Sequence, residues 1–175
     1  MCKRWISICI IFLLITGTSH AFAESDSGYW PNDVSENNTS AFELLKAPMA
    51  WNLRTFSTQL VGIVDSGIYV SHPDLSGRVQ TGASSIGPWD IDIHGHGTKV
   101  AGVAGASGNN GIGTNGVCWS AQLASVRASQ SGSYNDLDVY NSLENMMNQN
   151  SNIKILNCSY GGNQINQYLS DWYQN

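Results

Sequence analysis

The stretch that decides the fold is QLVGIVDSG, residues 59–67, in which a near-continuous apolar run is followed directly by Asp65. A short apolar run bounded by turn residues, here residues 59–64, is typical of a buried strand in a parallel sheet. Open α/β sheets build their sites just beyond the carboxyl ends of such strands. Asp65 is therefore a candidate functional carboxylate, although aspartate is also a common turn residue in this position.

The segments on either side alternate between strand-like and helix-like patterns. Apolar runs predict two more buried strands at residues 122–126 and 153–158. Residues 41–52 predict a short helix, a kink at Pro48 and a further turn, because proline breaks a helical pattern. Apolar spacing and small residues predict further helices at residues 97–106, 136–149 and 164–173. This alternation predicts an α/β fold with a parallel sheet and helices on both faces.

Composition excludes several classes of protein. Of 175 residues, 42% are hydrophobic and 12% are charged, and the formal net charge is −5. No basic stripe exists to meet phosphates, so nucleic acid is not an expected partner. The aliphatic content is too high for a disordered chain, and the 18 glycines interrupt any heptad repeat of a coiled coil.

The first 23 residues have the pattern of an export signal. Lys3 and Arg4 precede an apolar run at residues 5–15, and Ala21 and Ala23 form a small-x-small cleavage site. The apolar run is shorter than the roughly 20 residues of a membrane-spanning helix, so no stable membrane anchor is predicted. We expect a secreted or periplasmic protein that is cleaved after Ala23.

Residues 24–40 carry no periodic apolar pattern and are interpreted as an N-terminal arm. Two cysteines, Cys118 and Cys158, follow in the exported part of the chain. They either form a disulfide or remain two buried, small apolar thiols, since sequence alone does not reveal whether their Cα atoms approach each other.

Residues 92–102, DIHGHGTKVAG, contain the second candidate group. Glycines on both sides of His96 allow the backbone to turn tightly into a helix with the imidazole at its start. In one interpretation Asp65 orients His96, which acts as a general base for a hydroxyl nucleophile. In the other, Asp92, His94 and His96 bind a metal ion. No histidine follows His96, which disfavours the metal site.

Three motifs resemble those of the subtilisin-like serine proteases, the subtilases. VGIVDSGIYVSHPDL, residues 61–75, resembles the aspartate motif of that family, and GHGTKVAG, residues 95–102, resembles its histidine motif. ILNCSYGG, residues 155–162, resembles the strand that holds an extended substrate by backbone pairing. The motifs occur in the family's order over residues 41–175.

The resemblance implies a role for each matching residue. Asp65 would be the orienting carboxylate and His96 the general base of a peptide-hydrolysing Asp/His/Ser triad. Ser159, Tyr160 and Gly161 would contact a protein or peptide substrate and form one wall of the main specificity pocket. Tyr160 is a bulky departure from the family at that position. Simple packing is the alternative role for its ring, so this residue does not indicate the substrate specificity.

The resemblance also implies a structural calcium ion, with no cofactor for catalysis. The glycine- and asparagine-rich loop at residues 108–114 interrupts the helix after His96, in the place where family members form a cation-binding loop. A surface turn without metal is the alternative. The implied ligands are Asp74, the side chain of Asn110 and the carbonyl groups of Gly108, Ile112 and Thr114.

The family's nucleophile motif, Gly-Thr-Ser-x-Ala, does not occur in the 175 residues. The Asn that completes the family's oxyanion hole is also missing. We therefore expect residues 41–175 to be the N-terminal part of a subtilase catalytic domain, with an incomplete sheet and no activity alone. The alternative is a secreted, non-catalytic half-domain that serves as a peptide-binding or structural module.

Overall fold

The computed structural model describes residues 28–33, 39–150, 152–161 and 170. The predicted signal peptide, most of the N-terminal arm and all of the helix predicted at residues 164–173 except residue 170 lie outside the described residues. The elements in chain order are α1 Thr39–Leu44, α2 Ala47–Leu53, β1 Leu60–Asp65, a 3-10 helix Pro73–Leu75, β2 Val79–Ser84, α3 His96–Gly105, β3 Gln122–Arg127, α4 Asp136–Gln149 and β4 Ile153–Cys158.

The four strands form one sheet in the order β2-β3-β1-β4, and all three pairings are parallel. The three predicted strands are confirmed within one residue at each end. The sequence analysis missed β2, whose sequence VQTGAS contains little aliphatic side chain. Because β2 pairs only with β3, it is an edge strand that does not need the continuous apolar run of a central strand.

Helices cover both faces of the sheet, as the predicted α/β fold requires. Alternate residues of β1 point to opposite faces, so Ile63 and Val64 enter different cores. Val64 packs in a cluster with Leu143 and Met146 of α4. Ile63 packs in a second cluster with Ala101 of α3. Because both faces of β1 are covered, its residues before Asp65 are apolar or glycine on both faces.

Helix boundaries follow local chemistry. The side chain of Asn135 caps α4 by accepting hydrogen bonds from the backbone N–H groups of Leu137 and Asp138. The kink predicted at Pro48 was wrong. The break between α1 and α2 lies at Lys46, which adopts a left-handed conformation with φ 55°. Pro48 lies in the first turn of α2, where the N–H group that proline lacks is not needed.

The two cysteines are not joined by a disulfide in the described part of the chain. Cys118 packs against the core on the α3 face, and Cys158 packs against the core on the α4 face. The sheet therefore separates the two sulfur atoms. Within the described ranges, no helix has the length and hydrophobicity needed to cross a membrane.

Candidate active site

The candidate site lies where β1 and β4 end and α3 begins. Asp65 is the last residue of β1, and Ser159 directly follows β4, which pairs with β1 in parallel. His96 is the first residue of α3. Parallel strands place their carboxyl ends at one edge of the sheet, so these residues meet although they are far apart in sequence.

Asp65 and His96 form a hydrogen-bonded pair. Nδ1 of the imidazole lies 2.8 Å from Oδ1 of the carboxylate. The Asp65 side chain is fully buried, whereas 43% of the His96 side chain is exposed. With Nδ1 donating to Asp65, Nε2 is the ring atom that remains for proton transfer.

Further donors hold the carboxylate of Asp65. Its Oδ1 accepts the backbone N–H of Ser66 at 2.8 Å and the hydroxyl of Tyr134 at 2.9 Å. Its Oδ2 is buried and has no hydrogen-bond partner among the described residues. The carboxylate is thus desolvated and oriented mainly through one oxygen.

Ser66 is engaged in structure and is not available as a nucleophile. Its side chain is fully buried, and its hydroxyl lies 2.9 Å from Oδ1 of Asp92. The same hydroxyl accepts the backbone N–H of Gly97 at 3.0 Å. These contacts attach the loop after β1 to the start of α3.

Asp92 organises the loop that enters α3. Its Oδ2 accepts the backbone N–H and the hydroxyl of Thr98, at 2.8 and 2.6 Å, and its Oδ1 accepts the N–H of Gly95 at 2.8 Å. Burial acts to raise the pKa of Asp92, but hydrogen bonds from Thr98, Gly95 and Ser66 outweigh it and lower the pKa below its usual value. Asp92 therefore serves as an anionic anchor for the helix start.

The alternative metal site receives no support from this geometry. The Asp92 carboxylate is directed at the loop and helix start, and the rings of His94 and His96 are 6.2 Å apart. Across the described residues, no group of three or more His, Cys, Asp or Glu side chains is arranged to hold a metal ion. His94 instead lies against Gly132 at the rim of the site.

Both glycines beside His96 are explained by the structure. Gly95 has φ 85°, a left-handed conformation that favours glycine. A Cβ atom on Gly97 would lie 2.1 Å from the carbonyl oxygen of Gly67 and 2.9 Å from Cβ of Asp65. Glycine at residue 97 therefore lets α3 approach the end of β1 closely enough for the Asp65–His96 hydrogen bond.

The predicted substrate residues line the same cavity as His96. This cavity has a volume of about 200 Å³, and its walls are formed by His94, His96, Gly132, Tyr134, Ser159, Tyr160 and Gly161. The ring of Tyr160 stacks on that of Tyr134, with 4.7 Å between the ring centroids. The structure thus brings the predicted base and the predicted substrate strand together at one cleft.

Tyr134 was missed by the sequence analysis. Burial and the nearby carboxylates of Asp65 and Asp92 raise the pKa of its phenol above the usual value, so the hydroxyl stays protonated and donates. A tyrosine that directly precedes the helix cap Asn135 carries no motif by itself. Tyr134 belongs to the site only because the folded chain brings its hydroxyl to Asp65 at the end of β1.

Two of the predicted calcium ligands, Asn110 and Thr114, contact the carboxylate of a third, Asp74. This carboxylate is 2% exposed, and it accepts hydrogen bonds from the side-chain amide of Asn110 and the backbone N–H of Thr114, at 3.1 and 2.9 Å. Gly108 and Ile112 belong to the same loop, and the N–H of Ile112 donates to Oδ1 of Asn110.

A second carboxylate, which the sequence analysis did not identify, faces this loop. Oδ2 of Asp33 accepts the backbone N–H of Asn110 at 3.1 Å. Its Oδ1 is buried and lacks a hydrogen-bond partner within the described ranges. Two buried carboxylates, one of which has an oxygen without a hydrogen-bond donor, suit a hard cation such as Ca²⁺. The residues present therefore fit the ion that the motif implies.

Comparison with known proteins identifies relatives that share these motifs. A family model described as the subtilase family matches residues 57–174. Thermitase of Thermoactinomyces vulgaris is 33% identical over 144 residues, which are 77% of this chain and 49% of thermitase. Subtilisin E of Bacillus subtilis strain 168 is 35% identical over 150 residues, which are 82% of this chain and 37% of that protein. The chain therefore spans about half the length of thermitase and less of subtilisin E.

Proposed function

Because the chain belongs to the subtilase family, as its motifs predicted, we propose that it carries two members of the catalytic triad of a secreted serine endopeptidase. The observation that carries this proposal is the 2.8 Å hydrogen bond between buried Asp65 and half-exposed His96. It lies at the carboxyl ends of the central strands and opens on a cleft.

In this proposal Asp65 fixes the tautomer and orientation of His96. Nε2 of His96 takes the proton of a serine hydroxyl as that oxygen attacks the scissile carbonyl, and Asp65 stabilises the imidazolium that forms. The imidazolium then donates its proton to the leaving amine. The bond from Tyr134 and the backbone bond from Ser66 keep the carboxylate in place during these transfers.

Residues 159–161 would hold the substrate. They follow β4 at the mouth of the cavity that contains His96, and an extended peptide can pair with such a segment through backbone hydrogen bonds. The stacked rings of Tyr134 and Tyr160 then form an apolar wall beside the peptide.

The serine and the oxyanion donor would come from sequence outside these 175 residues. No Gly-Thr-Ser-x-Ala motif occurs among them. The hydroxyl of Ser66 is buried and hydrogen-bonded to Asp92 and Gly97. The hydroxyl of Ser159 accepts a hydrogen bond from Asn157 at 2.7 Å. Residues 41–175 would form the N-terminal part of the catalytic domain, and the edge strand β4 is where a further strand would pair. The 175 residues alone would not hydrolyse peptides.

Two further features complete the proposal. Residues 1–23 would direct export and be removed after Ala23, which N-terminal sequencing of the exported protein tests. Asp33, Asp74 and Asn110, with carbonyl groups of the loop, would bind a structural Ca²⁺. Calcium should then raise the unfolding temperature of the purified chain. The Asp74→Asn variant should lose most of this effect, and an equal response in both proteins would contradict the assignment.

The principal test starts from the coding DNA that follows the codon for Asn175. We expect an open frame that encodes a Gly-Thr-Ser-x-Ala motif. A fluorophosphonate probe, which labels activated serines, should label the longer product and should not label the 175-residue chain. His96→Ala should abolish the labelling. His72→Asn is the matched control, since His72 lies outside the cavity that contains His96 and asparagine keeps an acceptor for the backbone N–H of Asp74.

Two results would contradict the proposal. Labelling of the 175-residue chain would show that the nucleophile assignment is wrong. A stop codon followed by unrelated sequence would favour the alternative, a secreted half-domain that binds peptides without cleaving them. The absence of the nucleophile motif is the observation that keeps this second candidate in view.

A further inference from the structure

Tyr134 makes a contact with the site that no motif predicts. Its hydroxyl donates to Oδ1 of Asp65 at 2.9 Å, across 69 residues of sequence. The same oxygen accepts the hydrogen bond of His96 Nδ1 at 2.8 Å. The phenol and the imidazole therefore share one acceptor atom, and a change at either donor alters the charge available to the other.

The loop before α4 holds Tyr134 in this position. The hydroxyl of Ser129 accepts the N–H of Gly132 at 3.0 Å and donates to the carbonyl of Ser133 at 2.6 Å. Asn135, the next residue after Tyr134, caps α4. Loop and cap together fix the backbone on both sides of the tyrosine.

The ring of Tyr134 is held as well. It stacks on Tyr160 with an interplanar angle of 21°, so the tyrosine connects the buried carboxylate to the proposed substrate segment. The groups that face its hydroxyl are Asp65 in direct contact and Asp92 at longer range, while His94 and His96 line the same cavity. Both carboxylates oppose loss of the phenolic proton, and Tyr134 therefore remains a donor at neutral pH.

We propose that Tyr134 is a positioning residue that holds the Asp65 carboxylate for His96 and couples it to the substrate wall formed with Tyr160. The inference rests on the proposed peptidase function for its role in the reaction. The hydrogen bond to Asp65 also makes a physical prediction that can be tested without peptidase activity.

The first test follows the proton on His96 Nδ1 by NMR in the 175-residue chain. His96→Ala identifies the low-field resonance by removing it. Tyr134→Phe should move that resonance to lower field, because Oδ1 of Asp65 then has one donor fewer and accepts the remaining bond more strongly. Tyr29→Phe is the matched control, since Tyr29 contacts Trp119 with its ring tilted by 42° and does not line this cavity. A Tyr134→Phe resonance at the wild-type position would overturn the proposal.

The second test follows the ionisation of the Tyr134 phenol and does not depend on His96. In chains with labelled tyrosine Cζ, the resonance of Tyr134 is identified by its absence from Tyr134→Phe. Asp65→Asn should lower the pKa of Tyr134, because the charge that opposes its ionisation is removed. An unchanged titration would overturn the coupling to Asp65.

Activity then separates this inference from the proposed function. In the longer, serine-containing product, Tyr134→Phe should lower kcat and leave KM unchanged, because the ring that lines the cleft is kept. A raised KM with unchanged kcat would make Tyr134 a substrate contact and overturn the positioning role. A wild-type product without peptidase activity would refute the proposed function, while the two NMR results would still decide whether Tyr134 is coupled to Asp65.

Discussion

Replacement of Asp92 by asparagine should destabilise the folded chain by loosening the start of α3. The carboxylate accepts four hydrogen bonds, from the N–H and hydroxyl of Thr98, the N–H of Gly95 and the hydroxyl of Ser66. Asparagine keeps one acceptor oxygen and turns an NH₂ group toward two of these donors. Two of the four bonds are therefore lost, and the remaining two no longer end on a charge.

The expected loss in the free energy of unfolding is about 2 kcal/mol. A hydrogen bond to a charged group contributes about 1.5–3 kcal/mol when buried, so two lost bonds set an upper bound of about 6 kcal/mol. The site is only partly buried, and water replaces much of this loss. Removal of a helix N-cap costs about 0.5–2 kcal/mol, so the estimate lies at the top of that range. For a chain of this size it corresponds to a fall in Tm of about 4–8 °C.

The pH dependence has a definite sign. The pKa of Asp92 in the folded chain is lower than the usual 3.8. Its contribution is therefore fully present above the unfolded-state pKa and is lost as the pH falls through the folded-state pKa. The stability difference between wild type and Asp92→Asn should be largest near neutral pH and should shrink below about pH 4.

Urea or thermal unfolding, monitored by circular dichroism at about pH 6 and at about pH 3, measures the loss of stability and its pH dependence. Asp90→Asn is the matched control, because Asp90 is an exposed aspartate of the same loop, and it should change stability by less than about 0.5 kcal/mol. Equal stability of Asp92→Asn and wild type at the higher pH would refute the anchoring role. A difference that persists unchanged at low pH would refute its electrostatic origin.

Two further predictions concern packing around the site. Gly97→Ala should cost about 1–3 kcal/mol and displace α3, because the added methyl group meets the carbonyl of Gly67. Gly102→Ala, in open space on the same helix, should instead raise the free energy of unfolding by about 0.5–1 kcal/mol. Urea unfolding measures both changes, and a change of the same sign in the two variants would contradict the prediction. Leu143→Ala, at a fully buried position of α4, should cost about 2–5 kcal/mol. Leu137→Ala, half exposed on α4, should cost much less in the same assay.

Most of the fold could be predicted from local patterns. The strands β1 and β3 are buried over most of their length, and their apolar residues stand out in the sequence. β4 is an edge strand with exposed Lys154 and Ile155, and its apolar residues Ile153, Ile155 and Leu156 indicate the strand. The bounds predicted for α4 match those of the structure because its apolar spacing and its cap agree. The edge strand β2 has no such signal. The position of the break before α2 depends on a left-handed residue, Lys46, that no turn motif marks.

The candidate site divides in the same way. Asp65 and His96 could be identified because each lies within a local pattern, a strand end and a glycine-flanked turn. Tyr134 and Asp33 could not, since each acts on a partner distant in sequence. Tyr134 reaches Asp65 across 69 residues, and Asp33 reaches Asn110 across 77.

The sequence by itself determined the parallel α/β architecture, the family and the two groups available for proton transfer. These properties depend on residue type and on periodicity within one element. Tertiary structure alone decided that Oδ1 of Asp65 serves both His96 and Tyr134, that Gly97 lets α3 approach β1, and that Asp33 and Asp74 both accept hydrogen bonds from Asn110. The reason is physical: hydrogen bonds and close contacts depend on distances of a few ångströms between separate elements, and those distances exist only after both cores have packed against the sheet.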